Sequence, residues 1–307
     1  MKKRALALVC ALTFGALTLS ACGGASGEPT QASVPAETQA AEESASAGTA
    51  AAEAEEPETA QTGEKGTVTV AATPVPHAEI LEAAKPLMEE KGWTLEVVEF
   101  TDYVQPNEVV ESGDIDANYF QHINYMESYN EEKGTHLVSA GEIHYEPLGI
   151  YPGKESDLNN ISDGAEIAVP NDTTNEGRAL LLLQENGLIT LDPEAGITAT
   201  VMDITENPHN LEIVELQAEQ VARTLPDVAF GVVNGNYALQ AGLSTSDAVA
   251  LETADSEAIQ QYVNVIAVKE GNENKEGIQA LVEVLKSDEI RTFINDTYQG
   301  SVVPYEE

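Results

Sequence analysis

From residue 67 onward the apolar positions switch between a period of two and a period near 3.6, and the switches outline the elements. Thr67-Val68-Thr69-Val70-Ala71-Ala72 is a short β-like run, closed by the turn-forming Thr73-Pro74-Val75-Pro76. Ile80, Leu81, Ala84, Leu87 and Met88 then recur at the spacing of one helix face. Pro76 suits the first turn of that helix, Pro86 is a candidate kink and Gly92 ends it. Leu95 to Phe100 reads as a second strand, so the opening is β-α-β and predicts a parallel pair with a crossover helix. The alternation persists downstream. Glu166-Ile167-Ala168-Val169 is a strand, and Pro170-Asn171-Asp172 leads into a helix from about Thr174 to Asn186, with Gly187 at its end. Val228 to Val233 is a fully apolar strand and Val263 to Val268 another. The whole fits two doubly wound lobes, with no internal repeat.

Upstream of residue 67 both periods vanish. Lys2, Lys3 and Arg4 precede an apolar run, Ala5 to Leu19, that is too short to span a bilayer, which takes about 20 residues. The run ends in Leu19-Ser20-Ala21-Cys22, which resembles the bacterial lipobox: a leader over 1–21 is cut before Cys22, whose thiol receives a diacylglyceryl group. Cys10 leaves with the leader, so the mature chain has one cysteine and neither a disulfide framework nor a multi-cysteine metal site. Lipid chains add about 0.8 kcal/mol per buried methylene, and a multi-acyl anchor holds stably where one chain does not. From Gly23 to about Gly66 the composition is Ala, Glu, Ser, Thr, Gln, Gly and Pro, with Val34 the one branched apolar residue. Residues 22–66 are therefore expected to be a lipidated cysteine and a disordered acidic tether. A coil of roughly 44 residues has an r.m.s. span of about 35 to 40 Å. That is enough either to let a globular head reach a permease or to act as a plain spacer.

Charge and missing motifs narrow the function. The chain has 307 residues, 53 acidic against 14 basic side chains and a formal charge of −39. Binding of nucleic acid or of an anionic leaflet through a basic patch is excluded on that balance. There is no Gly-x-Ser-x-Gly elbow, phosphate loop or His-Glu-x-x-His, and the reading is not an enzyme. His77, His122, His136, His144 and His209 are scattered along the sequence, so neither a metal site nor a cofactor is expected.

Three segments carry candidate chemistry. Thr101 to Asn107 and Asp116 to His122 set aromatics among amide and imidazole groups, and Tyr103, Phe120 and His122 together can wall a pocket for an apolar side chain. Taken singly, Phe120 reads first as core and His122 as a satisfied structural histidine. Asn171 to Leu180 opens a helix with a polar run, where backbone N–H groups and Arg178 can converge on an anion. Arginine offers a planar fork to a carboxylate, though pairing with a neighbour such as Glu176 fits the composition equally well. Asn234 follows the strand ending at Val233, where ligands gather in α/β lobes, and its amide oxygen, like that of Asn210, can accept from an ammonium. Each asparagine alone reads first as a turn former.

With these residues assembled, the chain from about Thr67 to Glu307 resembles the MetQ/NlpA family of methionine-binding lipoproteins. The resemblance rests on Thr73 to Leu81, on Asp102-Tyr103 with Pro106-Asn107, and on Asp116-Ala117-Asn118 with Phe120-Gln121-His122. It continues through Asn175 to Leu180, Glu206-Asn207-Pro208 with Asn210-Leu211, and Asn234 with Tyr237-Ala238. It implies a type II periplasmic-binding-protein-like α/β fold, with lobe 1 over 67–147 plus 265–307, lobe 2 over 148–264 and a ligand cleft between them. It further implies that Tyr103, Phe120 and His122 face a methionine side chain, Arg178 its carboxylate, and Asn210 and Asn234 its amino end. The ligand would be methionine in the L or D form, delivered to the permease and ATPase of an ABC importer by a monomer anchored outside the cytoplasm through Cys22. Another small amino acid or a peptide, or an adhesin or signalling role on the same fold, are the alternatives.

Overall fold

In a computed structural model the chain is described over residues 65–253 and 261–306. The expected leader, Cys22 and nearly all of the expected tether lie outside these residues.

The first strand, β1 (Gly66–Ala72), runs through the helix α1 (Glu79–Glu90) into β2 (Trp93–Glu99), and β1 and β2 pair in parallel as the sequence predicts. Pro86 sits inside α1 without ending it. The apolar stripe of α1 is buried at Ile80, Leu81, Ala84 and Met88, each fully buried side chain contributing about 1.5–3 kcal/mol for the larger ones. Next come α2 (Gln105–Ser112), β3 (Ala117–His122), α3 (Ile123–Lys133) and β4 (Leu137–Tyr145). The chain then crosses to a second sheet through β5 (Gly149–Pro152), β6 (Glu166–Pro170), α4 (Thr173–Glu185), the short pair β7 (Thr190–Leu191) and β8 (Ile204–Glu206), and β9 (Glu212–Leu216). It continues as α5 (Ala218–Thr224), β10 (Phe230–Val233), α6 (Gly235–Gln240) and β11 (Ala250–Leu251). A second crossing returns it to the first sheet as β12 (Val263–Lys269), α7 (Glu276–Leu285), α8 (Asp288–Tyr298) and β13 (Val303–Pro304).

The first sheet has the order β13-β4-β12-β3-β1-β2 and the second β11-β5-β10-β6-β9. Both are mixed rather than wholly parallel. β12 runs antiparallel to β3 and β4, and β5 antiparallel to β10 and β11. An apolar run specifies burial on both faces but not strand direction, which the crossings impose here. The whole of β12 lies in the first sheet, so the return falls two residues ahead of the expected boundary at 265.

β3 is the element that the hydrophobic pattern does not reveal. All six of its residues are buried, although three are polar. A closed amide set makes this possible: Asn118 donates to Asn107 Oδ1 at 2.8 Å, Gln121 to the same oxygen at 2.7 Å, and Asn107 to Gln121 Oε1 at 2.9 Å. Asp116 ties β3 to β1 by accepting from the Thr69 N–H at 3.0 Å and hydroxyl at 2.8 Å. Buried polar groups that satisfy one another in this way fix the strand's position and the direction of Phe120 and His122. Among the described residues no helix is long and apolar enough to cross a membrane.

Candidate ligand-binding site

One cavity is lined from both sheets and from the first crossing between them. β3 supplies Phe120, Gln121 and His122, and the turn before α2 supplies Tyr103. The second sheet supplies Asn175 and Arg178 from α4, and Asn234, Gly235 and Asn236 where β10 passes into α6. Glu146, on the crossing between β4 and β5, and Asn264, near the start of β12 in the first sheet, close it.

Five of the six expected ligand residues therefore meet. Tyr103 and Phe120 form an aromatic wall with ring centroids 5.6 Å apart, and Tyr103 stacks on Tyr237 at 4.9 Å. His122 caps α3 by accepting from the Tyr125 N–H at 3.1 Å and reaches Asn175 Oδ1 through Nε2 at 3.2 Å. With Nδ1 accepting, Nε2 carries the proton, and both nitrogens are engaged by the protein. Burial, reinforced by the nearby Arg178 charge, pulls the His122 pKa down to about 3. It therefore offers a ligand a neutral ring face rather than a charge.

Asn210 is the exception. It is exposed in the left-handed conformation, φ 50°, its N–H donating to Asn207 O at 3.1 Å and its amide to Asp163 at 2.7 Å. It is a turn former outside the cavity, because asparagine is among the few side chains that tolerate that backbone.

Arg178 is buried at 4% exposure and is not a surface residue paired with Glu176. Nε donates to both Glu252 carboxylate oxygens, at 3.0 and 3.1 Å, Nη2 to the Glu146 carbonyl at 2.9 Å and also to Glu252. The guanidinium lies over the Tyr262 ring, 4.1 Å from its centroid. Burial works against its charge, but the Glu252 carboxylate outweighs burial and pushes the pKa up. The start of α4 also differs from expectation. Asp172 caps it, accepting from the Asn175 N–H at 3.1 Å, so an anion of the chain already holds that end.

Gly177, one position before Arg178, lets α4 approach the segment after β7, since a Cβ there would lie 2.1 Å from Ile197 O. Gly235 plays the same part beside the cavity, where a Cβ would lie 2.8 Å from the Glu146 Cβ.

Two buried polar atoms at the cavity have no hydrogen-bond partner, and they have opposite sense. Asn234 Oδ1 is an unmatched acceptor, its amide nitrogen already donating to Asn175 at 2.8 Å. Asn236 Nδ2 is an unmatched donor, its oxygen already accepting from the Tyr103 hydroxyl at 2.6 Å. Orphaned groups of this kind cost about 1–3 kcal/mol each unless something fills the site.

Sequence distance hid other residues. His77 and His144, far apart along the chain, both approach Glu146, their Nε2 atoms 3.3 and 2.8 Å from its Oε1. The three are close enough to frame a cation, yet every ring nitrogen is committed to a protein partner. His77 Nδ1 meets the Thr73 hydroxyl at 2.7 Å and Nε2 also meets Asn264 at 3.1 Å, while His144 Nδ1 meets the Tyr119 hydroxyl. Burial holds His77 down to about 4 and His144 to about 3. The motif Thr73-Pro74-Val75-Pro76-His77 was the available sign, since a histidine beside prolines and ahead of a helix needs a reason.

A small, buried, polar-and-aromatic cavity between two linked α/β sheets defines a substrate-binding protein of the type II periplasmic-binding fold. The chain belongs to the NlpA lipoprotein family, whose model matches residues 68–306. It is 42% identical over 255 residues to the methionine-binding lipoprotein MetQ of Bacillus subtilis, 81% of this chain and 91% of that protein. A lipoprotein structure from Ruminococcus gnavus is 65% identical with a TM-score of 0.77, over 78% of this chain and 99% of that one. A nutrient-binding protein from Burkholderia cenocepacia bound to methionine is 42% identical with a TM-score of 0.74, over 78% and 100%.

Proposed function

We propose that the protein captures methionine outside the cytoplasm and delivers it to an ABC importer, the two sheets being the cores of two lobes that close on the ligand. The observation that carries this reading is the pair of unmatched buried atoms in the cavity, an acceptor at Asn234 and a donor at Asn236, beside a buried arginine. A free amino acid presents the complement, an ammonium and a carboxylate on one carbon. Arg178 meets the carboxylate through Nη1, the nitrogen not committed to Glu252 or to the Glu146 carbonyl. Asn236 supplies a second donor, and Asn234 accepts from the ammonium. Tyr103, Phe120 and the neutral face of His122 are left for the side chain, and a thioether sulfur gains about 0.3–1.5 kcal/mol against an aromatic edge. The relatives named for methionine, and the methionine-bound structure among them, support the side chain chosen. Cys22 anchors the head, and the stretch between Cys22 and β1 lets it reach the permease.

Native mass spectrometry of freshly purified protein tests the ligand. A folded population carrying one methionine per chain is expected. A different amino acid or a dipeptide at that stoichiometry would reassign the cargo.

A further inference from the structure

We infer that two hydrogen bonds between the lobes, Thr173 to Glu132 and Tyr237 to Thr101, latch the cleft shut and set how fast the cargo leaves. The inference rests on the reading of the two sheets as lobes that close on an amino acid, and it adds contacts of the chain with itself that hold the closed form.

The first bond joins α4 to α3. Thr173 is the first residue of α4, and its hydroxyl donates to Oε1 of Glu132, the penultimate residue of α3, at 2.5 Å. Asp172 already caps α4, so the Thr173 hydroxyl is not needed to start the helix. The second bond joins α6 to the segment between β2 and α2. Tyr237 is 3% exposed, and its hydroxyl donates to the Thr101 carbonyl at 3.2 Å. Its ring stacks on Tyr103, which packs against the apolar clusters of both lobes.

Other bonds across the cleft run through side chains that line the cavity, from the Tyr103 hydroxyl to Asn236 and from His122 to Asn175. A ligand acts on those directly. Thr101, Glu132, Thr173 and Tyr237 do not line the cavity, so their two bonds form without any ligand atom. Neither bond lies on a crossing, where the covalent chain itself would keep the partners together. Both therefore belong to the closed form and break when the lobes part. Contacts of this kind add to the closed side of the opening equilibrium whatever the cargo is. Cargo enclosed in the cavity leaves only after reopening, so a bond made on closure slows release and leaves capture by the open form unchanged.

Release is measured by chasing isotope-labelled methionine from the protein with excess unlabelled methionine, and association follows from that rate and the calorimetric Kd. Tyr237→Phe keeps the stacked ring and removes the hydroxyl, and Thr173→Val keeps the shape and removes the hydroxyl. Each is expected to speed release about threefold to tenfold, the scale of one net hydrogen bond, with association within about twofold of wild type. In the double variant the two factors multiply, to about tenfold to a hundredfold. Glu132→Ala is expected to reproduce Thr173→Val and to add nothing when combined with it, because the bond is already lost. That pair is at the surface and carries the test should Tyr237→Phe not fold. Wild-type release from both single variants, or a loss confined to association, overturns the proposal. A further rise in release when Glu132→Ala is added to Thr173→Val removes the α3–α4 bond from the latch. Wild-type protein that binds no methionine removes the methionine reading and the latch with it, whereas tight binding with unchanged release in the variants removes the latch alone.

Discussion

Arg178 concentrates the chemistry of the site in one side chain. Its Nε and Nη2 are engaged by Glu252 and the Glu146 carbonyl, and its face lies over Tyr262, so the buried charge is rigidly held. Truncating one partner of a buried, hydrogen-bonded charge pair costs about 2 to 5 kcal/mol. Arg178→Ala is therefore expected to weaken methionine binding roughly thirtyfold to several thousandfold, read by calorimetry on stripped protein that melts cooperatively. Arg178→Lys restores only part of the loss, because an ammonium cannot serve Glu252 and a ligand with one planar fork. Wild-type affinity in a folded Arg178→Ala protein would remove the residue from the site. The histidines make a second claim at this scale. His77, His122 and His144 are depressed by burial from 6.5 to about 4, 3 and 3. A depressed histidine pKa means that the unfolded chain binds more protons, so this contribution is complete above about pH 6.5 and is lost as pH falls towards 4. In an NMR titration all three imidazoles should keep their neutral-form shifts down to about pH 5. A midpoint near 6.5 for any of them would mean a solvated ring.

Which of these residues could be read in advance follows from sequence distance. Tyr103, Phe120, His122, Arg178 and Asn234 sit in short segments whose chemistry is visible locally. Glu146, Glu252, His77 and His144 gain meaning only from partners brought close by folding, such as Arg178 and Glu252, 74 positions apart. Asn210 misled for a local reason: an asparagine in a polar segment is equally suited to a ligand and to a left-handed turn, and the turn has the stronger claim on it.

At the scale of elements, β1-α1-β2 and the β6-α4 unit were legible because their apolar spacing matches their period and their ends carry proline, glycine or a cap. β3 was not, since two of its three polar residues, Asn118 and Gln121, are buried in an amide network with Asn107 that no periodicity reports, and the third, His122, is satisfied by Asn175 and the Tyr125 N–H. Strand direction in β12 was equally hidden, being set by the crossing and not by composition. The close approach of α4 to Ile197 gives an expectation of its own. Gly177→Ala favours the helix by about 1 kcal/mol in propensity but drives a methyl into a backbone carbonyl, and overpacking typically costs about 1–3 kcal/mol. The denaturation midpoint should fall and methionine affinity with it, since Arg178 is adjacent. An unchanged midpoint would show that the 196–199 segment yields freely.

For the whole molecule, the sequence separates a head that packs from a stretch after Cys22 that is poor in core-forming residues. The head carries the cavity, and the formal charge of −39 belongs to a protein that takes a zwitterion without steering by net field. Anchoring is expected to reside in one atom, the Cys22 thiol. Cys22→Ala should abolish lipid labelling and move the protein from the membrane fraction to the medium or soluble fraction, and an unlabelled variant that still pellets with membranes would contradict the anchor. Whether the cavity holds methionine as a zwitterion is read by titrating methionine into ligand-stripped wild-type protein. Saturable heat at one methionine per chain is expected; a folded, stripped protein that gives no heat with either enantiomer would contradict a methionine site in this cavity.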